Sequence, residues 1–181
     1  MQVSVCPAGL SWFFNNRMRL LSHNPKKIMG DYVKQGYTAA DIGCGPGFFS
    51  LALAEMVGEE GRVIAVDLQK EMLDKVAAGA ERLKLRPRII LHQCKEDSLG
   101  LEEKADFILA FWMVHEVPNV KGLFDEIVTI LKPEGLLLLV EPRYHVSAAT
   151  FREEISQACA AGLKPYKEVK VNLSRGMLFS L

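Results

Sequence analysis

Thr38-Ala39-Ala40-Asp41-Ile42-Gly43-Cys44-Gly45-Pro46-Gly47-Phe48-Phe49-Ser50 reads as a short apolar strand that ends in an acid, passes through a glycine-rich turn and opens into the apolar-periodic segment Phe48–Val57. Glycine on alternate positions lets the backbone take conformations closed to other residues and lets a ligand approach the main chain. The first turn of the following helix adds unpaired N–H groups. This is the pattern of a ligand-binding corner at the end of a strand.

The glycine spacing bears on which ligand it takes. A dinucleotide fingerprint requires G-x-G-x-x-G, whereas here the third glycine comes one residue early, at Gly47, and Phe48 stands in the fingerprint position. NAD is therefore disfavoured. Asp41-x-Gly43-x-Gly45-x-Gly47 instead resembles the first signature motif of the class I S-adenosylmethionine-dependent methyltransferases. A second feature supports the resemblance: Arg62-Val63-Ile64-Ala65-Val66-Asp67 is a strand ending in an acid about twenty residues after the glycine loop, where a carboxylate can accept ribose hydroxyls.

Outward from this pair, strands and helices alternate. Strands are expected at Thr38–Asp41, Arg62–Asp67, Arg88–His92, Ala105–Phe111 and Leu136–Val140, and helices at Phe48–Val57, Lys70–Leu83, Val120–Leu131 and Ser147–Ala161. Lys132-Pro133-Glu134-Gly135 reads as the stop and turn after the third of these helices. It also resembles the family's late Leu-Lys-Pro-Gly-Gly motif, with Glu134 in place of the first glycine. Lys164–Leu181 reads as two antiparallel strands, the last of them the reversed edge strand that the family carries. The expected fold is a single α/β doubly wound Rossmann-like domain with a mostly parallel seven-stranded sheet, residues 36–181. Residues 1–35 read as a helical cap, with Trp12, Phe13 and Phe14 in an aromatic segment and Asn24-Pro25 opening a short helix.

Composition narrows the functional classes. Lys plus Arg equals Asp plus Glu at 22 each, so no global field attracts nucleic acid. The longest wholly apolar run, Leu136–Val140, is far short of a membrane span, and the N-terminus lacks the order of a signal peptide, which makes a cytoplasmic location the simplest expectation. Cys6, Cys44, Cys94 and Cys159 form no C-x-x-C pair and have no histidine at metal-ligand spacing, so reduced thiols and no metal site are expected. Cys6 is the best placed of the four for a reactive role.

Site residues belong at the carboxyl ends of the strands, where strand order reverses in an open α/β sheet. The resemblance implies S-adenosyl-L-methionine as cofactor, held by Asp41, Gly43, Cys44, Gly45 and Gly47, with Asp67 at the ribose and Leu68 and Leu99 beside the adenine. It also implies an adenine contact after the third strand. The usual acid position falls on Lys95, which leaves Glu96, Asp97 or the backbone for that contact. Phe111-Trp112-Met113-Val114-His115-Glu116 stands where the family brings residues past the sulfonium, with Phe111 on the cofactor and Trp12, Trp112, His115 and Tyr144 around the acceptor. His115 is a candidate general base, its ordinary pKa being near neutrality, although a His-Glu pair at a loop start also serves as a capping or surface pair. Glu141 and Pro142 read as residues that fix a turn. The expected activity is methyl transfer to a small, partly apolar or aromatic acceptor. A non-catalytic cofactor-binding regulatory subunit, an RNA or protein methyltransferase, and an oxidoreductase using another adenosine compound stay open as alternatives.

Overall fold

The computed structural model describes residues 22–181. Trp12, Phe13, Phe14 and Cys6 lie outside the described residues, as does most of the aromatic N-terminal segment. The first helix lying wholly within the described residues, α1, is Pro25–Met29, with the Asn24 side chain accepting from the Lys27 amide.

Beyond it, β1 (Thr38–Ile42), α2 (Phe48–Met56), β2 (Arg62–Asp67), α3 (Lys70–Arg82), β3 (Ile89–Gln93), β4 (Ala105–Phe111), α4 (Val120–Ile130), β5 (Leu131–Pro142), α5 (Ala148–Ala160), β6 (Lys164–Val169) and β7 (Ser174–Ser180) follow in order. The elements expected from residues 38–161 are all present, within a residue or two at their ends except at the start of β5. The seven strands lie in the order β3-β2-β1-β4-β5-β7-β6, parallel from β3 through β5. The reversed strand is β7, antiparallel to both β5 and β6, so the outermost place belongs to β6.

The sheet is covered on both faces, which is why its central strands read as nearly continuous apolar runs. All five residues of β1 are buried. Along β4 the side chains alternate between two cores: Phe107, Leu109 and Phe111 join Phe49, Leu53 and Val76, while Ile108 and Ala110 join Phe124, Ile127 and Leu139. On α3, Met72, Val76 and Ala80 recur at helical spacing and are buried.

Lys132-Pro133-Glu134-Gly135 is a correction to the sequence reading. Leu131 already pairs with Ala105, so the helix stops at Ile130 and the motif lies inside the first half of β5. Pro133 and Glu134 are exposed there, at an irregularity in the ladder between Ala105 and Phe107 where a missing amide hydrogen is tolerated. A side chain at Gly135 would meet the Lys132 carbonyl at 2.9 Å, so close backbone approach sets that residue. No helix among the described residues is long and apolar enough to cross a membrane.

Strand order reverses between β1 and β4. The chain leaves β1 toward β2 on one side and returns to β4 on the other, opening a crevice at the carboxyl ends of these strands.

Candidate active site

A cleft occupies that crevice. Its floor is the loop after β1, in which Gly43, Gly45 and Gly47 take φ values of 68°, 53° and 90°. The three glycines answer different constraints. A Cβ at Gly43 would press on Met113 at 2.8 Å and one at Gly47 on Val76 at 2.9 Å, whereas at Gly45 nothing lies within 4 Å. Gly43 and Gly45 both line the cleft, with open space for a side chain only at Gly45, whereas Gly47 serves packing against α3 and is not among the lining residues.

Asp41 is buried and accepts the Ser50 hydroxyl at 2.5 Å, tying the end of β1 to α2. Asp67, at the end of β2, takes the Gly45 amide on one carboxylate oxygen at 2.8 Å and the Gln69 amide on the other at 2.9 Å. Burial raises its pKa above the ordinary carboxylate value, against the lowering effect of these backbone donors. Cys44 is buried in the loop, and burial together with the Asp41 and Asp67 charges holds its thiol well above its usual pKa; Cys94 is pushed up to about 11 by burial first and then by Asp67. Neither is an activated thiolate.

On the β3 side, Leu68 and the buried Leu99 present apolar walls, while Glu96 and Asp97 are exposed at the rim. The turn that carries them is closed by the Lys95 amide donating to the Ser98 carbonyl at 2.9 Å. Glu126, reaching across from α4, accepts from the Ser98 hydroxyl, the Leu99 amide and the Gly100 amide at 3.1, 2.9 and 3.2 Å. Nothing in the sequence points to this role, because a glutamate on the polar face of a helix gives no local signal that it secures a distant loop.

On the β4 side, Phe111 packs against Phe49 with ring centroids 4.3 Å apart. Trp112 is held at φ 61°, an uncommon conformation for a large residue, by its amide bond to the Val140 carbonyl at 2.8 Å and its indole N–H bond to the Ser174 hydroxyl at 2.9 Å. Met113, Glu116 and Val117 continue the wall. His115 is not among the residues that line the cleft. Its Nδ1 meets the fully buried Glu141 carboxylate at 2.5 Å, and its ring stacks on His145 at 5.8 Å. Tyr144, 64% exposed, stands edge-on to Trp112 outside the cleft lining.

Six carboxylates, Asp41, Asp67, Glu96, Asp97, Glu116 and Glu126, line this cleft, against Lys95 as the one cation among the described lining residues. Such a site favours a cationic or neutral polar ligand and disfavours pyrophosphate or a nucleic-acid backbone.

A model of a methyltransferase domain family matches residues 33–172. The chain belongs to that family. Demethylmenaquinone methyltransferase of Oceanobacillus iheyensis is 29% identical to this chain over 109 residues, 60% of this chain and 46% of that protein. The chain spans about half the length of the curated relatives it matches. A solved S-adenosylmethionine-dependent methyltransferase from Aquifex aeolicus superposes with a TM-score of 0.87 at 24% identity, over 97% of this chain and 98% of that one. Fibrillarin of Aeropyrum pernix, solved with natively bound S-adenosyl-L-methionine, superposes with a TM-score of 0.68 at 15% identity, over 89% of this chain and 74% of that one. The fold is that of the class I, Rossmann-like methyltransferases, and these two solved structures are described as S-adenosylmethionine-dependent and as S-adenosyl-L-methionine-bound, respectively.

Proposed function

We propose that this methyltransferase transfers the methyl group of S-adenosylmethionine to a small, partly apolar or aromatic acceptor, of the quinone kind named for its Oceanobacillus relative. The observation that carries the cofactor assignment is the acidic cleft with open space over Gly45, which suits a ligand bearing both a sulfonium and an ammonium and no phosphate. When bound, S-adenosylmethionine supplies a methyl group activated by the positive sulfur.

The chain's own residues would hold it as follows. Asp67, its two oxygens each oriented by a backbone amide, keeps lone pairs for the ribose hydroxyls. Leu68, Met72 and Leu99 form an apolar slot for the adenine, with Glu96 or Asp97 at its rim. The backbone at Gly43–Gly45 passes beneath the methionine end, where Asp41 and Glu116 add negative charge. Trp112 and Met113 close the far end, excluding water and aligning an acceptor with the methyl group, and alignment in a dry pocket is the main requirement of in-line transfer. His115, with Nδ1 engaged by Glu141 and its ring outside the lining, is read as a residue that holds this wall.

The deciding experiment is calorimetry with S-adenosylhomocysteine and NAD, followed by labelled methyl transfer to a reduced naphthoquinone and to total RNA. Binding of the first ligand alone and label in the quinol are expected. Binding of NAD alone would overturn the cofactor reading, and label found mainly in RNA would overturn the acceptor. Asp67→Ala should weaken S-adenosylhomocysteine by about 1–3 kcal/mol, the cost of leaving polar groups unpaired. Unchanged affinity in that variant would mean that Asp67 does not face the ribose.

A further inference from the structure

Behind the Trp112–Glu116 wall lies a second group of ionisable side chains that the transfer reaction does not itself require. Glu141, at the carboxyl end of β5, is fully buried, and both of its oxygens are used: Oε1 accepts the Val114 amide at 2.9 Å and Oε2 meets His115 Nδ1. The two donors are consecutive residues of the single 3-10 turn Val114–Glu116. Flanking Met113 and the turn's own Glu116 both line the cleft. One carboxylate on a central strand therefore fixes the segment that shapes the far wall.

Glu154 joins the same corner from α5. It is 3% exposed, and its Oε2 is a buried oxygen with no hydrogen-bond partner among the described residues. An ionised carboxylate in that position would be desolvated, would leave a buried oxygen unpaired, and would feel the charge of Glu141, a second buried carboxylate that has two donors. The proton belongs on Glu154 and the charge on Glu141.

We infer that Glu141 is a positioning residue for the cleft, holding the Val114–Glu116 turn through the Val114 amide and the His115 ring, and that Glu154, as a neutral acid, keeps Glu141 free to carry the charge. Titration tendencies agree with the geometry. Burial raises Glu154 to about 7, with the Glu141 charge adding to the rise and His115 opposing it. Burial alone would lower His115, but the hydrogen bond and charge of Glu141, with Glu116 and Glu154, hold it above its ordinary value. The groups facing this cluster are Glu141 from β5, His115 and Glu116 from the turn, His145 from the connection between β5 and α5, and Glu154 from α5. On β7, Arg175 directs its Nη1–H to the Val146 carbonyl at 2.9 Å. As pH rises through neutrality Glu154 ionises and repels Glu141, and as pH rises further His115 loses its charge, so the carboxylate–imidazole contact that anchors the wall weakens.

The link from this cluster to the cleft rests on the functional reading above, whereas the cluster itself can be tested without it. Nitrogen-15 spectra of the four histidine rings across pH 5–9, with His115 assigned from the signal lost in His115→Asn, report tautomer and midpoint directly. In the wild type the neutral His115 ring should carry its proton on Nδ1, the tautomer less favoured in free histidine. Its shift should also show a second inflection near pH 7 from Glu154. Glu154→Gln should remove that inflection and leave the tautomer in place, and Glu141→Gln should lower the His115 midpoint by about one unit or more. An Nε2–H tautomer in the wild type overturns the proposal even where Glu141→Gln does not fold, and so does a midpoint indifferent to Glu141→Gln. In parallel, the wild-type affinity for S-adenosylhomocysteine should weaken severalfold from pH 6 to pH 8 and that of Glu154→Gln should stay level; equal slopes overturn the coupling to the wall. Failure of every variant to bind S-adenosylhomocysteine at any pH would instead count against the functional reading, with the ring spectra still deciding the cluster.

Discussion

Gly45→Val is expected to weaken S-adenosylhomocysteine binding by about a hundredfold or more while the protein stays folded. The expectation follows from what surrounds the three loop glycines. A side chain at Gly45 meets nothing within 4 Å, so it enters the space above the loop instead of the core, and that is the space proposed above for the cofactor. A β-branched residue at φ 53° also strains the loop by about 1–3 kcal/mol, which displaces the Gly45 amide from Asp67. Gly47→Val, by contrast, drives a methyl group toward Val76 at 2.9 Å, and its main cost falls on stability. Calorimetry and a thermal melt on both variants separate the two effects. Wild-type affinity in Gly45→Val would mean that the ligand does not pass over this residue.

The second large effect is a dependence of stability on pH that runs opposite to that of most carboxylates. Glu154 is raised from an ordinary value of 4.5 to about 7 in the folded state. A group raised in this way contributes stability that is fully present below its unfolded pKa and is lost as pH climbs through the folded value, so its contribution declines between about pH 4.5 and pH 7. His115, also raised, acts in the same direction at its own, higher range. The shift of Glu154 sets a ceiling of about 3 kcal/mol on the loss, or roughly 6–12 °C in melting temperature for a domain of this size. Glu154→Gln should therefore be more stable than the wild type at pH 8 and have a flatter profile between pH 5 and pH 8. A wild type no less stable relative to Glu154→Gln at pH 8 than at pH 5 would show that the buried acid does not titrate near neutrality.

Much of this architecture was legible in the chain because it depends on local chemistry. Gly43, Gly45 and Gly47 mark a turn whatever surrounds them, Asp67 follows from its place at a strand end, and the short apolar run Val63–Val66 that leads to it reads as a strand. What was not legible depends on residues brought together from afar. Glu126 looks like a polar helix position until Leu99 and Gly100 are placed beside it. Glu141 could be read as fixing a turn, but its two donors lie on another strand's continuation. His115 gave no sign of its direction, because a histidine next to a glutamate in sequence suggests that neighbour, whereas its partner is Glu141. Lys132–Gly135 carries turn residues yet lies in β5, since pairing of Leu131 with Ala105 outweighs the preference of proline and glycine for a bend.

The place of β1 between β2 and β4 also has a kinetic meaning. Pairing with β2 joins neighbouring segments, but Ala39 pairs with Phe107, and that closure spans more than a third of the chain. Contacts of such sequence separation form late, because the entropy of the intervening chain is lost before they return any stability. A polypeptide that has emerged from the ribosome only as far as β3 already holds the glycine loop and Asp67, yet β1 has a bare edge where Phe111 and Trp112 will later stand. Competence to hold a cofactor is then the last property acquired on refolding, and it should trail the return of helical circular dichroism.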